Sequence, residues 1–158
     1  MPKLRGTDRA LNLLEHATKR LRLFGLTAFV LTVLSVCILL SMIGGGIFLV
    51  FRSLNFIVLT SSLVSTSALL CLIAYEYERK RGDVLFEEIS DELQWYVRES
   101  DTESDSRPLI GARVVLRSFA RSVDLPLAPG RFGPAVYFLV NTISIFLQLY
   151  YLRFWRPH

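Results

Sequence analysis

Three blocks of apolar residues, Phe24 to Val50, Leu54 to Ala74 and Pro134 to Leu152, constrain what this chain can fold into. A helix rises about 1.5 Å per residue, so about 20 apolar residues cross a bilayer core of roughly 30 Å. In a soluble domain the apolar side chains recur at helix or strand period; here they form contiguous runs. The expected fold class is an all-α membrane protein. It comprises a transmembrane helical hairpin with a cytosolic helical extension, surface amphipathic helices and a third, C-terminal transmembrane helix.

Charge orients these segments. The formal net charge of +4 conceals an asymmetry. Lys3, Arg5, Arg9, Lys19, Arg20 and Arg22 precede the first apolar block, and Arg79, Lys80 and Arg81 follow the second. The short segment between those blocks offers only Arg52. By the positive-inside rule, the N-terminus and the middle of the chain are cytoplasmic. Every acidic residue except Asp8, Glu15 and Asp124 falls between Glu76 and Asp105. Basic flanks around an acidic arm suit a membrane surface with a cytosolic appendage, and argue against a nucleic-acid partner. The apolar run from Phe24 is longer than the h-region of a signal peptide, so it is expected to stay as a span. Cys37 and Cys71 fall at different depths of the hairpin, which argues against a disulfide and for two small apolar residues.

Along the chain, residues 1–22 form a basic leader. Ala10, Leu14, Ala17 and Leu21 make a 4-3-4 stripe there, with Thr7 as expected N-cap, predicting an amphipathic helix on the headgroups. Residues 23–75 are the hairpin, turning across Gly44 to Ser53, where three glycines weaken a helix and Arg52 snorkels to the interface. Residues 76–100 continue the second helix into the cytosol as an acidic arm. Phe86, Ile89, Leu93 and Tyr96 form a 3-4-3 seam on it that wants a partner, another copy or the leader helix. Residues 101–107 read as a polar, acidic linker. Residues 108–132 read as a second surface helix and loop. Pro108 suits its first turn, Ala112, Val115, Leu116, Phe119 and Val123 make its apolar face, and Arg113, Arg117 and Arg121 lie along its flank at lipid phosphates. Residues 133–155 are the third span, aromatic at both ends and carrying the C-terminus outside, with a half-inserted helix as the alternative.

Two polar patterns inside the spans stand out. Tyr137, Asn141, Ser144, Gln148 and Tyr151 recur at 4-3-4-3 spacing in the third span. Asn and Gln amides facing lipid would lack partners, so this stripe must meet protein or water. It is either an interhelical hydrogen-bonding seam or the lining of a polar pore. Ser61, Ser62, Ser65 and Thr66 in the second span form small-xxx-small pairs that let helices approach closely, or else a hydroxyl-lined constriction. Catalysis has little to stand on. His16 and His158 are the only histidines, and no phosphate-binding loop, metal-ligand motif or nucleophile elbow occurs. No catalytic residue, cofactor or metal is expected.

A basic amphipathic leader, a close hairpin and a helix leaving the second span through EYERKRGDVLFEEISDELQW together resemble the SLATT-type membrane proteins over residues 7–98. The resemblance implies a bacterial or archaeal plasma membrane and an effector that perforates it on activation, within nucleotide-signalled defence systems. Residues 107–158 depart from that two-span pattern. The function expected is therefore a small homo-oligomeric membrane protein with pore-forming or membrane-perturbing activity. The alternative is a non-catalytic accessory or scaffold subunit that meets a cytosolic protein at the acidic helix.

Overall fold

The structure, a computed structural model, describes residues 4–43, 54–99, 107–130 and 132–154, with side chains over 8–43, 56–95, 110–130, 132–150 and at Arg153. Four helices follow in order: α1 (Leu4–Ile43), α2 (Leu54–Glu99), α3 (Arg107–Ser122) and α4 (Gly133–Phe154). Among the described residues there is no strand, only an isolated bridge between Leu125 and Ala128. Three of the helices, α1, α2 and α4, are long and apolar enough to cross a membrane. The turn expected at Gly44 to Ser53 and most of the acidic linker fall outside the described residues, as do the side chains of Tyr96 and Tyr151.

α1 runs unbroken for 40 residues, and no proline interrupts it. It begins at Leu4, ahead of Thr7, which is therefore inside the helix and not its N-cap. Leu4 and Arg5 are good helix formers and let the first turn start early. α2 runs for 46 residues through the basic cluster Arg79-Lys80-Arg81 and past Gly82.

The chain divides into two compact units. Unit one comprises Met1–Leu23 and Tyr75–Asp124; unit two comprises Phe24–Ala74 and Leu125–His158. In unit one the leader stripe is buried: Leu14, Ala17 and Leu21 are core residues, with Ile89 of α2 and Ala112 and Phe119 of α3. The Phe86 and Phe119 rings pack 5.9 Å apart. Gly82 lets α3 come close, since a Cβ there would stand 2.3 Å from Cε2 of Phe119. Around this core Arg20 donates to Glu78 at 3.3 Å, Arg22 donates to Ser118 at 3.0 Å, and the Tyr75 hydroxyl donates to the Val123 carbonyl. On the surface Lys19 lies 2.9 Å from Glu15 and, by its hydrogen bond first and its charge second, pulls that carboxyl below its ordinary value.

These contacts correct two expectations. The apolar faces of the leader and of α3 were expected on lipid; both are covered by protein. The partner expected for the Phe86–Ile89 seam was another copy or the leader; Phe86 also packs against Phe119 of α3, a helix that expectation left out. An amphipathic stripe specifies an apolar cover without specifying which one.

Candidate functional site

Unit two is built around polar side chains. Thr32 and Ser35 come from α1, Ser61 and Ser65 from α2, and Asn141, Ser144 and Gln148 from α4; all are buried. The Ser35 hydroxyl lies 2.5 Å from that of Ser65 and 2.9 Å from that of Ser144, joining all three helices at one level. One level away the Asn141 amide donates to Thr32 Oγ1 at 2.8 Å and to the Tyr137 carbonyl at 2.9 Å. On the other side the Gln148 amide donates to Ser61 Oγ at 2.5 Å and Ser144 Oγ at 3.0 Å, while Ser62 donates to Gln148 Oε1 at 3.1 Å.

The pairing sets direction. Contacts rise together from Thr32–Asn141 to Ser35–Ser144, so α1 and α4 run parallel in this unit. Moving up α4 to Gln148 moves down α2 from Ser65 to Ser61, so α2 is antiparallel to both. Beyond Gln148 the seam gives way to an apolar cluster of Met42, Ile57 and Val58, with Ile38 against it.

Small hydroxyl residues make this possible, since they let backbones approach while their oxygens bridge. Four hydroxyls outside the seam need no neighbouring helix: Ser41, Thr60, Thr66 and Thr142 each donate to the carbonyl four residues back, at 2.8 Å. Elsewhere the outward faces are aliphatic and aromatic, with Leu26, Val30, Leu59, Leu63, Leu139 and Phe146 all exposed. One seam atom is left over. Asn141 Oδ1 is buried and has no hydrogen-bond partner among the described residues, while its amide nitrogen is committed to Thr32 and Tyr137.

The predicted site residues therefore part company. Tyr137, Asn141, Ser144, Gln148, Ser61, Ser62 and Ser65 come together inside one chain, whereas Thr66 is exposed and bonded within its own helix. Tyr137 is buried, and its hydroxyl donates to the Pro126 carbonyl in the loop before α4. Arg113, Arg117 and Arg121 are exposed along α3, and of the acidic-arm seam Ile89 is fully buried while Phe86 and Leu93 are half-buried. Thr32 and Ser35 were missed by sequence reasoning. The available signal was faint: Ala28, Thr32 and Ser35 are small residues at i, i+4 and i+7, but Thr27, Cys37 and Ser41 are small too and lie off that stripe.

The loop into α4 is tightly closed. Ala128 donates to the Leu125 carbonyl at 3.3 Å and Gly133 to the Gly130 carbonyl at 3.2 Å. Gly130 has φ 90°, and Leu127 adopts φ 63°, a left-handed conformation that L-residues other than glycine avoid. Gly133 passes so near Ala128 that a Cβ would sit 2.1 Å from its carbonyl oxygen.

Fold and seam together define an all-helical chain with three helices long and apolar enough to cross a membrane, which contribute a polar interior between them. Comparison with protein-family models, curated proteins and solved structures finds no match.

Proposed function

We propose that this chain is a non-catalytic integral membrane protein of a prokaryotic plasma membrane, working as an anchored accessory or docking subunit. Unit two is the anchor, with α1, α2 and α4 crossing the bilayer. Unit one is its cytoplasmic part, on the side assigned by the basic residues before Phe24 and after Ala74. One observation carries this reading. The polar side chains that lipid would not tolerate are spent on one another within the chain, and the outward faces left to lipid are apolar. What remains for another protein to recognise is unit one, where Asp83, Glu87, Glu88 and Asp91 are exposed along α2. That acidic face complements a basic partner. Pull-down of the full chain in mild detergent tests the reading. A stoichiometric partner should co-purify and be lost on Glu87→Lys/Glu88→Lys/Asp91→Lys. A lone homo-oligomer from native membranes would refute it.

A second reading, a homo-oligomeric membrane-perturbing effector, draws on the seam itself and on the SLATT-type resemblance of residues 7–98. Were the three helices to part, Ser35, Ser61, Ser65, Asn141, Ser144 and Gln148 would line a hydrated path without adding a charge to the membrane. Membrane potential and viability during induced expression of the wild type and of Asn141→Leu/Gln148→Leu separate the two readings. A wild type that stays inert under every activating condition excludes the effector.

A further inference from the structure

On α4, Ile143, Phe146, Leu147, Leu149, Tyr150 and Arg153 line a groove of about 690 Å³. All six residues lie on α4, so this is an open groove along the surface of one helix. At 100° per residue this face points away from the stripe of Tyr137, Asn141, Ser144 and Gln148 that meets α1 and α2. Five of the six lining residues are aliphatic or aromatic, and the sixth is a cation at one end. Arg153 is exposed and makes no ion pair among the described residues.

The length of the groove is informative. Ile143 and Arg153 are ten residues apart, about 15 Å along a helix. That is half of a hydrocarbon core of roughly 30 Å, the depth of one leaflet. With Arg153 at the headgroup level, Ile143 falls near the midplane. Tyr150, one turn below Arg153, stands where an amphipathic ring prefers to be.

We propose that this groove is a binding site for one anionic phospholipid of the leaflet at the C-terminal end of α4. One acyl chain lies along Ile143, Phe146, Leu147 and Tyr150, and the phosphate takes the Arg153 guanidinium as a charge-assisted, two-pronged hydrogen-bond partner. Apolar lining, one-leaflet length and an exposed cation at the headgroup end, without an ion pair among the described residues, match this ligand at each point. A second copy of the chain could fill the apolar part, but would bring no counter-charge for Arg153 from a face like this one.

The proposal rests on α4 being a span, so the first step is extraction with alkaline carbonate. Release of the chain without detergent would overturn the membrane reading, and this site with it. For protein that stays in the membrane, the full chain is reconstituted with equal amounts of phosphatidylglycerol and phosphatidylcholine. Retained lipid is then counted by native mass spectrometry. One phosphatidylglycerol per chain should be held in preference to phosphatidylcholine. Arg153→Gln should lower its retention about fivefold, the share expected of one interfacial cation, and Arg153→Lys should restore most of it. Leu147→Trp, which fills the groove, should lower retention of both lipids. Equal retention of the two lipids by the wild type, or no effect of Arg153→Gln, would overturn the proposal while leaving the span intact. So would efficient disulfide formation between copies of Leu149→Cys in a Cys37→Ala/Cys71→Ala background at high lipid-to-protein ratio, which would show a second copy in the groove.

Discussion

Replacing Gln148 with methionine should destabilise unit two more than replacing Asn141 with leucine, although both are fully buried amides on the same stripe. Gln148 makes two bonds to α2, through Ser61 and Ser62, and one to Ser144 on its own helix. Interhelical hydrogen bonds within membranes contribute about 0.6 kcal/mol on average and up to ~1.7 kcal/mol, so the two bonds amount to roughly 1–3 kcal/mol. Methionine fills most of the volume, and the freed serines can turn to carbonyls of their own helix, which favours the lower half of that range. Asn141 differs because its Oδ1 has no partner among the described residues. Leucine branches at the same carbon. It forfeits the single interhelical bond to Thr32, about 0.6 kcal/mol, but removes a buried acceptor whose burial costs roughly 1–3 kcal/mol. The balance runs from neutral to about 2 kcal/mol more stable. Equilibrium unfolding in mixed micelles of dodecyl maltoside and dodecyl sulfate, followed by far-ultraviolet circular dichroism, measures both variants against wild type. If Asn141→Leu loses as much as Gln148→Met, Oδ1 has a partner and the reasoning fails.

Other substitutions probe backbone and packing. Gly82→Ala should destabilise unit one by about 1–3 kcal/mol despite the better helix propensity of alanine, because the new Cβ meets the buried Phe119 ring. Hydrogen exchange should then quicken across residues 112–122. Gly111 and Gly130 both have open space where a Cβ would go, yet their alanine variants should differ in sign. Gly111→Ala in α3 should gain up to about 1 kcal/mol of helix stability, whereas Gly130→Ala, at φ 90°, should lose about 1–2 kcal/mol. Thermal melts in detergent compare the pair, and equal shifts would contradict the left-handed turn.

Much of the architecture is legible in the residues. The long apolar runs set α1, α2 and α4, and Pro108 and Pro134 lie in the first turns of α3 and α4. The stripe from Tyr137 to Gln148 is legible too, because helical spacing puts its members on one face and lipid cannot satisfy two amides. What that stripe meets is not. Ser35 and Ser144, like Thr32 and Asn141, are 109 residues apart, and an isolated Thr or Ser in an apolar run announces no partner. The amphipathic faces of the leader and α3 carry the same ambiguity, since Leu14 or Phe119 is equally apolar against a lipid tail or a neighbouring helix.

By itself, then, the sequence determines that this chain is helical, that three of its helices are long and apolar enough to cross a bilayer, and which side chains those helices must hide. Those are local properties of a segment, written in composition and period. Only the tertiary structure decides where they are hidden: the stripe in a seam of α1, α2 and α4, the leader and α3 against the C-terminal half of α2. Hydrogen-bond pairing and steric fit are matches between segments remote in the chain, and they exist only once the helices are side by side.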